Sequence, residues 1–260
     1  MKEQFLRRLL PTKFRSTKFT SLSEVFSKNH SRNVVYNELD QFYYQHLPLD
    51  LVAHRRYFSK FSRGFGENAF HSMWYLLFSE FKPIHCLEIG VYRGQVITLW
   101  AILANKLNIQ SEISCVSPFS AAGDNVSTYR TDINYLQDTI VNHHHFKISL
   151  PKFCTEFSNS KKAHDFIAEK KWDLIYIDGS HEEQIVQQDF EIAFANLADN
   201  GIIILDDSSL YFDYQPSKTS FAGHPGPSKV TQELVIRHMS LFGGVGHNNI
   251  FLKQGTSERL

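Results

Sequence analysis

The sequence is short of cysteine, of net charge and of long apolar runs, and each shortage excludes a class of protein. Its three cysteines have no metal-ligand spacing, which fits a reducing, cytoplasmic setting. Basic residues (Lys plus Arg) and acidic residues (Asp plus Glu) number 27 each, which argues against nucleic acid as the main partner. No apolar run approaches the roughly 20 residues that cross a bilayer, and the N-terminus lacks an apolar signal core. We therefore expect a cytoplasmic protein without a transmembrane segment.

The N-terminal region differs in composition from the rest of the chain. Its first 28 residues contain seven lysines or arginines with apolar residues interleaved. A transit peptide, a weak membrane-surface arm and a solvated basic extension all fit this composition, and we favour the last. Residues 34–62 are rich in aromatic and basic side chains without strand alternation, which predicts short helices that form a cap and offers a surface for a homodimer.

From residue 64 onward, strand-like and helical patterns alternate. Apolar residues at helical spacing run from Phe70 to Phe81 and end before Pro83. Strands are predicted at residues 84–89, 113–117, 146–150, 174–178, 202–206 and about 250–253. A helix is predicted at 228–241. This alternation indicates an α/β fold, a Rossmann-like, doubly wound and mostly parallel sheet, in a domain at 64–260 that follows the extension and cap at 1–63.

A glycine turn joins the first predicted strand to the helical stretch 95–107. It reads Glu88-Ile89-Gly90-Val91-Tyr92-Arg93-Gly94. Such glycines let a ligand lie against bare backbone at the carboxyl end of the sheet. Dinucleotide-binding loops need G-x-G-x-x-G, whereas three residues separate Gly90 from Gly94, which argues against a nucleotide-sugar or dinucleotide oxidoreductase. An ordinary turn with two glycines is the alternative interpretation.

Acidic residues end two successive predicted strands. Asp178 ends one of them, and Asp206, followed by Asp207, ends the next. Because the carboxyl ends of parallel strands meet at the edge where the glycine turn lies, these three carboxylates should converge. They repel one another unless a cation sits among them, and oxygen ligands suit Mg²⁺, Mn²⁺ or Ca²⁺. A structural or cofactor-ordering role is the alternative.

These motifs resemble those of the class I S-adenosylmethionine-dependent methyltransferases. The E-x-G-x-x-x-G pattern of residues 88–94 is similar to the first motif of that class. The two acidic turns resemble those of the catechol, caffeoyl-CoA and antibiotic-sugar O-methyltransferases, especially a group with an I-D-G-x-H turn that includes proteins described as cephalosporin hydroxylases. The resemblance covers roughly residues 64–208. In catechol-type enzymes a divalent metal such as Mg²⁺ is held at the positions of Asp178, Asp206 (28 positions later) and Asp207.

The resemblance implies metal-assisted transfer of a methyl group from S-adenosylmethionine to a hydroxyl of a small molecule or sugar. It implies a set of cofactor-binding residues, namely Gly66, Glu88, Gly90, Tyr92, Gly94, Ser117, Phe119 and Asp178. His181 stands where catechol-type enzymes carry a catalytic lysine, so it is the candidate base. The alternative is that His181 bonds Asp178 and only orders the turn.

The sequence also departs from the family at one position. Ser117 stands where the family usually has a ribose-binding acid, and Asp124 is a candidate substitute. The departure keeps open a non-catalytic interaction protein of the same fold. His224 and His247, in later glycine-rich loops, are candidates for a second base. The run His143–His145 suggests a metal site, but adjacent side chains diverge and no fourth ligand is evident, so we predict a solvent-facing loop instead.

Overall fold

The structure is a computed structural model that describes residues 17–121, 123–124, 126–127, 129–217 and 220–254. Its strands are β1 (His85–Ile89), β2 (Glu112–Val116), β3 (Lys152–Cys154), β4 (Trp172–Ile177), β5 (Leu197–Leu205), β6 (Ser240–Val245) and β7 (Asn248–Leu252). Its helices are α1 (Leu22–Lys28), α2 (Arg32–Gln45), α3 (Leu49–Phe58), α4 (Asn68–Phe81), α5 (Gln95–Leu107), α6 (Tyr135–Phe146), α7 (Lys161–Ile167), α8 (Glu183–Ala195), α9 (Pro225–Val230) and α10 (Ile236–His238), with a π-helical turn at Thr231–Val235. Residues 1–16, which hold most of the predicted basic extension, lie outside the described residues.

The described strands form one seven-stranded sheet in the order β3-β2-β1-β4-β5-β7-β6. The first five strands in this order are parallel, and β7 runs antiparallel to both β5 and β6. The predicted Rossmann-like, mostly parallel sheet is confirmed. Among the described residues, no helix has both the length and the apolar character needed to cross a bilayer.

Both faces of the central strands are buried, because alternate side chains enter two different cores. On β4 and β5, Tyr176 and Ile204 belong to one core, whereas Ile175 and Ile203 belong to the other. Helices α7 and α8 cover the second core, and α4 and α5 cover the first. This two-sided burial explains why the sequences of these strands are continuous apolar runs.

The N-terminal helices belong to the first core. Three aromatic rings of this region, Phe19, Phe42 and Tyr43, are buried there. Arg32 at the start of α2 donates to Ser209 Oγ and to Asn249 Oδ1, at 2.7 Å each, and so ties this region to the sheet. The predicted helices are confirmed, whereas the boundary at residue 64 and the homodimer surface stay predictions.

The strand predicted at residues 146–150 is wrong. Asn134 caps the N-terminus of α6 by accepting from the Gln137 N–H, and that helix runs to Phe146. Lys147 then takes a left-handed conformation with a φ of 54°, which ends the helix, and the strand paired with β2 forms later, at Lys152–Cys154. The prediction failed because residues 146–150 alternate like a strand, whereas tertiary contacts decide their structure: Phe146 packs on His54 and Phe58 of the N-terminal region.

Two further local predictions need correction. His143–His145 form the last turn of α6 instead of a loop, and His143 is buried. The helix predicted at 228–241 starts earlier and is followed by an unpredicted strand, β6. Its Gly243 and Gly244 lower strand propensity, but their missing side chains leave room for Phe26 and Arg32.

Candidate active site

A cavity of about 730 Å³ opens at the carboxyl ends of the parallel strands. Its size suits a ligand of cofactor size, since small-molecule sites span about 300–1,000 Å³. The predicted site residues that line it are Gly66, Glu88, Gly90, Tyr92, Ser117, Asp178, His181, Asp206 and Asp207. The cavity therefore joins the glycine turn to the carboxylate cluster in one space.

Gly90 lies where strands β1 and β4 end side by side. Its φ is +93°, and a Cβ atom there would come within 2.1 Å of the carbonyl oxygen of Asp178. The Gly90 N–H donates to Val116 O at 2.9 Å, and the Asp178 N–H donates to Ile89 O at 2.8 Å. Only glycine fits this close approach, so the floor of the cavity is bare backbone.

Gly94 has a different role from the one implied by the resemblance. It is the N-cap residue of α5, with a φ of +79°, and a Cβ atom there would meet Thr139 Cγ2 at 2.7 Å. Gly94 is not among the residues that line the cavity. Its glycine lets α6 pack close to the start of α5.

Glu88 is a buried acid at the end of β1. Its side chain lines the cavity, and Oε2 has no hydrogen-bond partner among the described residues. Burial raises the pKa of Glu88 well above its usual value, against a hydrogen bond from the Ile97 N–H that lowers it. A buried oxygen without a partner is costly, so it indicates a donor supplied by a ligand.

The residues that follow β2 offer fewer contacts to a cofactor than the family pattern implies. The Ser117 hydroxyl donates to Val91 O at 3.1 Å, which ties β2 to the glycine turn. Phe119 packs edge-to-face on Phe153 with ring centroids 5.6 Å apart and is not among the lining residues, and its contact with the cofactor stays a prediction. Asp124 is also engaged elsewhere, because it binds His181.

Asp206 and Asp207 both contact His247, which lies in the turn between β6 and β7. His247 Nδ1 lies 2.8 Å from Asp206 Oδ1 and 2.9 Å from Asp207 Oδ1. Burial by itself raises the pKa of Asp207, but hydrogen bonds from His181 and His247 outweigh it and hold that pKa below its usual range. Burial raises the pKa of Asp178 well above its usual value, and Asp206 and Asp207 raise it further by repulsion. The three predicted carboxylates thus converge, as the strand ends indicated.

His181 stands between two carboxylates. Its Nδ1 lies 2.7 Å from Asp124 Oδ2, its backbone N–H donates to the same oxygen at 2.6 Å, and its Nε2 lies 2.9 Å from Asp207 Oδ2. Burial lowers the pKa of His181, but Asp207 and Asp124 raise it more, so the net direction is upward. Among the described residues, its ring nitrogens lie within hydrogen-bond distance of Asp124, Ser127 and Asp207, and not of Asp178 as the alternative interpretation held.

Comparison with known proteins supports one family. Residues 87–208 match the model of a family described as a methyltransferase domain. This match spans a little under half of the chain and makes the chain similar to the methyltransferases. The family match argues against the dinucleotide oxidoreductase alternative. No curated protein sequence matches the chain significantly.

Solved methyltransferase structures share the fold. A Staphylococcus aureus protein provisionally named as a caffeoyl-CoA O-methyltransferase is 14% identical, with a TM-score of 0.58 over 81% of this chain and 95% of its own. A Podospora anserina methyltransferase bound to SAH is 14% identical, with a TM-score of 0.55 over 80% and 88%. The O-methyltransferase TomG of Streptomyces achromogenes, in complex with SAM, is 12% identical, with a TM-score of 0.50 over 80% and 89%. At these identities the likeness shows the fold alone.

Two acids of the candidate site carry no signal in the sequence. Glu67 precedes α4 and lies 3.6 Å from His247 Nε2, and it also accepts a hydrogen bond from the Tyr36 hydroxyl. Asp124, weighed from the sequence only as a ribose ligand, holds His181. Both contacts join residues far apart in the chain, so no local pattern could have predicted them.

Proposed function

We propose that this methyltransferase moves the methyl group of S-adenosylmethionine to a hydroxyl of a small molecule or sugar, with a divalent cation held at the carboxylates. The observation that carries the proposal is the single cavity that places the glycine turn beside Asp178, Asp206 and Asp207. A methyl donor on the turn and a hydroxyl at the carboxylates would then be neighbours, as in-line transfer requires.

The residues on the glycine-turn side fit a cationic amino-acid cofactor. The partnerless Glu88 Oε2 offers a buried acceptor to its ammonium group, and Gly90 offers room against bare backbone. Tyr92 and Gly66 line the same side. The related fold in complex with SAM from Streptomyces achromogenes supports this choice of cofactor. Ser117 gives the ribose one hydroxyl in place of a carboxylate, so we expect affinity in the micromolar range.

The residues on the other side fit a divalent cation. Asp178, Asp206 and Asp207 are oxygen donors that repel one another. A bound cation would supply charge neutralisation and would lower the pKa of an acceptor hydroxyl. The carboxylates would hold it and fix the position of that hydroxyl.

His181 is the proposed base. Its Nε2 also faces a carboxylate, that of Asp207, so a cation bound to Asp207 would free the Nε2 lone pair towards the cavity while Nδ1–H stays donated to Asp124. Asp124 thereby fixes the ring orientation and the tautomer, the role that a carboxylate plays beside a catalytic histidine. The proton of the acceptor hydroxyl would move to Nε2.

Calorimetry tests the cofactor part of the proposal. S-adenosylmethionine and S-adenosylhomocysteine should each bind with a micromolar dissociation constant, and Glu88→Gln should weaken binding of the first by about tenfold because a buried charge-assisted contact is lost. Absence of heat with both ligands would refute the proposal and favour the non-catalytic interaction protein that Ser117 left open.

A pH–rate profile tests the base. Methyl transfer from labelled S-adenosylmethionine is measured against a panel of phenols and sugars. We expect His181→Ala to flatten the profile around neutrality, whereas a variant of the exposed His144 should leave it unchanged. An unaltered profile for His181→Ala would place the base elsewhere.

A further inference from the structure

His247 lies at the centre of an acidic group that the sequence did not assign to it. Its Nδ1 faces one oxygen of Asp206 and one of Asp207, at 2.8 and 2.9 Å. These three donor atoms lie within 4.8 Å of one another. The other ring nitrogen, Nε2, faces Glu67 Oε1 at 3.6 Å. The imidazole therefore has an inner side with two carboxylates and an outer side with one.

The inner distances match those between neighbouring ligands of one metal ion. Donors about 2.1 Å from an ion, at right angles, lie about 3 Å apart. Nδ1 already has this spacing from each of the two carboxylate oxygens, so an ion can replace the ring proton between them without a change of fold.

The outer side has the arrangement expected around a ligating histidine. Such a histidine usually donates its second N–H to a carboxylate, which fixes the tautomer and the ring orientation. Glu67 is the carboxylate placed for this role, since its Oε1 lies 3.6 Å from Nε2, and the Tyr36 hydroxyl donates to its other oxygen. Metal ligation through Nδ1 leaves Nε2–H free for Glu67.

The ring is also held in place by its surroundings. Phe70 packs edge-to-face on it with centroids 4.8 Å apart, and Phe221 lies at the same distance. The Ser208 N–H donates to His247 O at 2.9 Å, which ties this turn to the segment that follows Asp206 and Asp207. The three donors are therefore fixed relative to one another.

We propose that His247 is a ligand of the divalent metal, together with Asp206 and Asp207, and that Glu67 orients it. This rests on the proposed metal dependence of the methyltransferase. An imidazole donor suits Co²⁺, Ni²⁺ or Zn²⁺, whereas an all-oxygen set suits Mg²⁺ or Ca²⁺. The site thus selects a transition metal over Mg²⁺.

A second histidine group supplies a matched control. Ligand atoms of His181, Asp207 and His224 also lie within 4.8 Å of one another. His224 Nε2 is 3.9 Å from Asp207 Oδ2, and His181 is already held by Asp124. His224→Gln removes an imidazole from the same pocket without touching His247.

The experiment titrates the chelator-treated full chain with Co²⁺ and with Mg²⁺, followed by calorimetry and by the visible absorption of Co²⁺. We expect Co²⁺ to bind at least about tenfold more tightly than Mg²⁺. His247→Gln should lose about tenfold or more of the Co²⁺ affinity and shift the absorption bands, while its Mg²⁺ affinity changes by less than about threefold. His224→Gln should change neither metal's affinity.

Equal affinity for both ions, or an unchanged Co²⁺ spectrum in His247→Gln, overturns the proposal. A loss confined to His224→Gln also overturns it, because the nitrogen donor then belongs to the other group. If His247→Gln does not fold, Glu67→Gln takes its place, with an expected loss of several-fold in Co²⁺ affinity. S-adenosylhomocysteine binding without metal is measured in parallel, so failure of the metal assignment is distinguished from failure of the proposed methyltransferase function.

Discussion

The glycine-turn half of the cavity, at the ends of β1 and β2, exposes backbone and one buried carboxyl group. The carboxylate half, at the ends of β4 and β5, instead consists of charged side chains that pair with histidines. In the first half the decisive contact is the approach of Gly90 to the Asp178 backbone. In the second half it is the charge balance around Asp207. Shape controls one half, and electrostatics controls the other.

The same difference appears in two pairs of histidines. His54 and His71, behind the glycine turn, bond to each other at 3.0 Å, and His54 also bonds Thr98 at 2.8 Å. Burial lowers the pKa of both, that of His71 to about 3. His247 is also buried and His181 is half-buried, yet neighbouring carboxylates raise the pKa of each. One side chain type is therefore held neutral in one half and favoured as a cation in the other.

The largest effect is expected from Gly90→Ala, which tests whether shape controls the glycine-turn half. The new Cβ would meet the Asp178 carbonyl at 2.1 Å on a backbone with a φ of +93°. Strain and overpacking should lower the free energy of unfolding by about 2 kcal/mol or more. The S-adenosylhomocysteine affinity should fall by about 30-fold. Denaturant titration and calorimetry measure the two quantities.

Gly179→Ala is the matched control, because a Cβ atom there meets nothing closer than Asp189 Oδ2 at 3.6 Å. It should change the stability by less than about 1 kcal/mol. Equal losses in the two variants would show that the close approach at Gly90 is not what the fold requires.

A smaller effect is expected from Asp207→Asn, which tests whether charge controls the carboxylate half. Asp207 has a φ of 52°, a conformation that asparagine tolerates, so the backbone should be preserved. Removal of one negative ligand should weaken divalent-metal binding by about tenfold, while the S-adenosylhomocysteine affinity stays within about threefold.

Asp199→Asn, at an exposed position, serves as the control for this substitution. Metal and S-adenosylhomocysteine titrations of both variants are compared. A parallel loss of cofactor affinity in Asp207→Asn would mean that the two halves are coupled and that the comparison fails.

The sequence could predict whatever depends on local pattern. Apolar runs predicted the central strands, and the glycine turn and Asp178, Asp206 and Asp207 stand at strand ends, where parallel topology alone brings them together. The alternation of residues 146–150 is that of a strand, but Phe146 instead ends α6 and packs on His54 and Phe58 of the N-terminal region, a contact that no local pattern shows.

The partners of the site histidines could not be predicted in this way. Asp124 reaches His181 across 57 positions, and Glu67 meets His247 across most of the domain. Such pairs depend on how loops fold over the sheet edge. Phe119 shows the same limit, because its contact with Phe153 depends on the position of β3.

The smallest predicted effect concerns the acid sensitivity of the neutral histidine pair. The pKa values of His54 and His71 are lowered in the folded state. Below about pH 6.5 the unfolded chain therefore binds protons at these histidines that the folded chain does not bind. Stability should therefore fall by about 1 kcal/mol between pH 7 and pH 6 through His54 and His71. The double variant His54→Phe, His71→Leu should lose this part of the pH dependence, since Phe58 and Phe146 already surround the first ring. Denaturant titrations at both pH values measure it, with His144→Gln as the exposed control, and the same acid loss in all three proteins would contradict the assignment to His54 and His71.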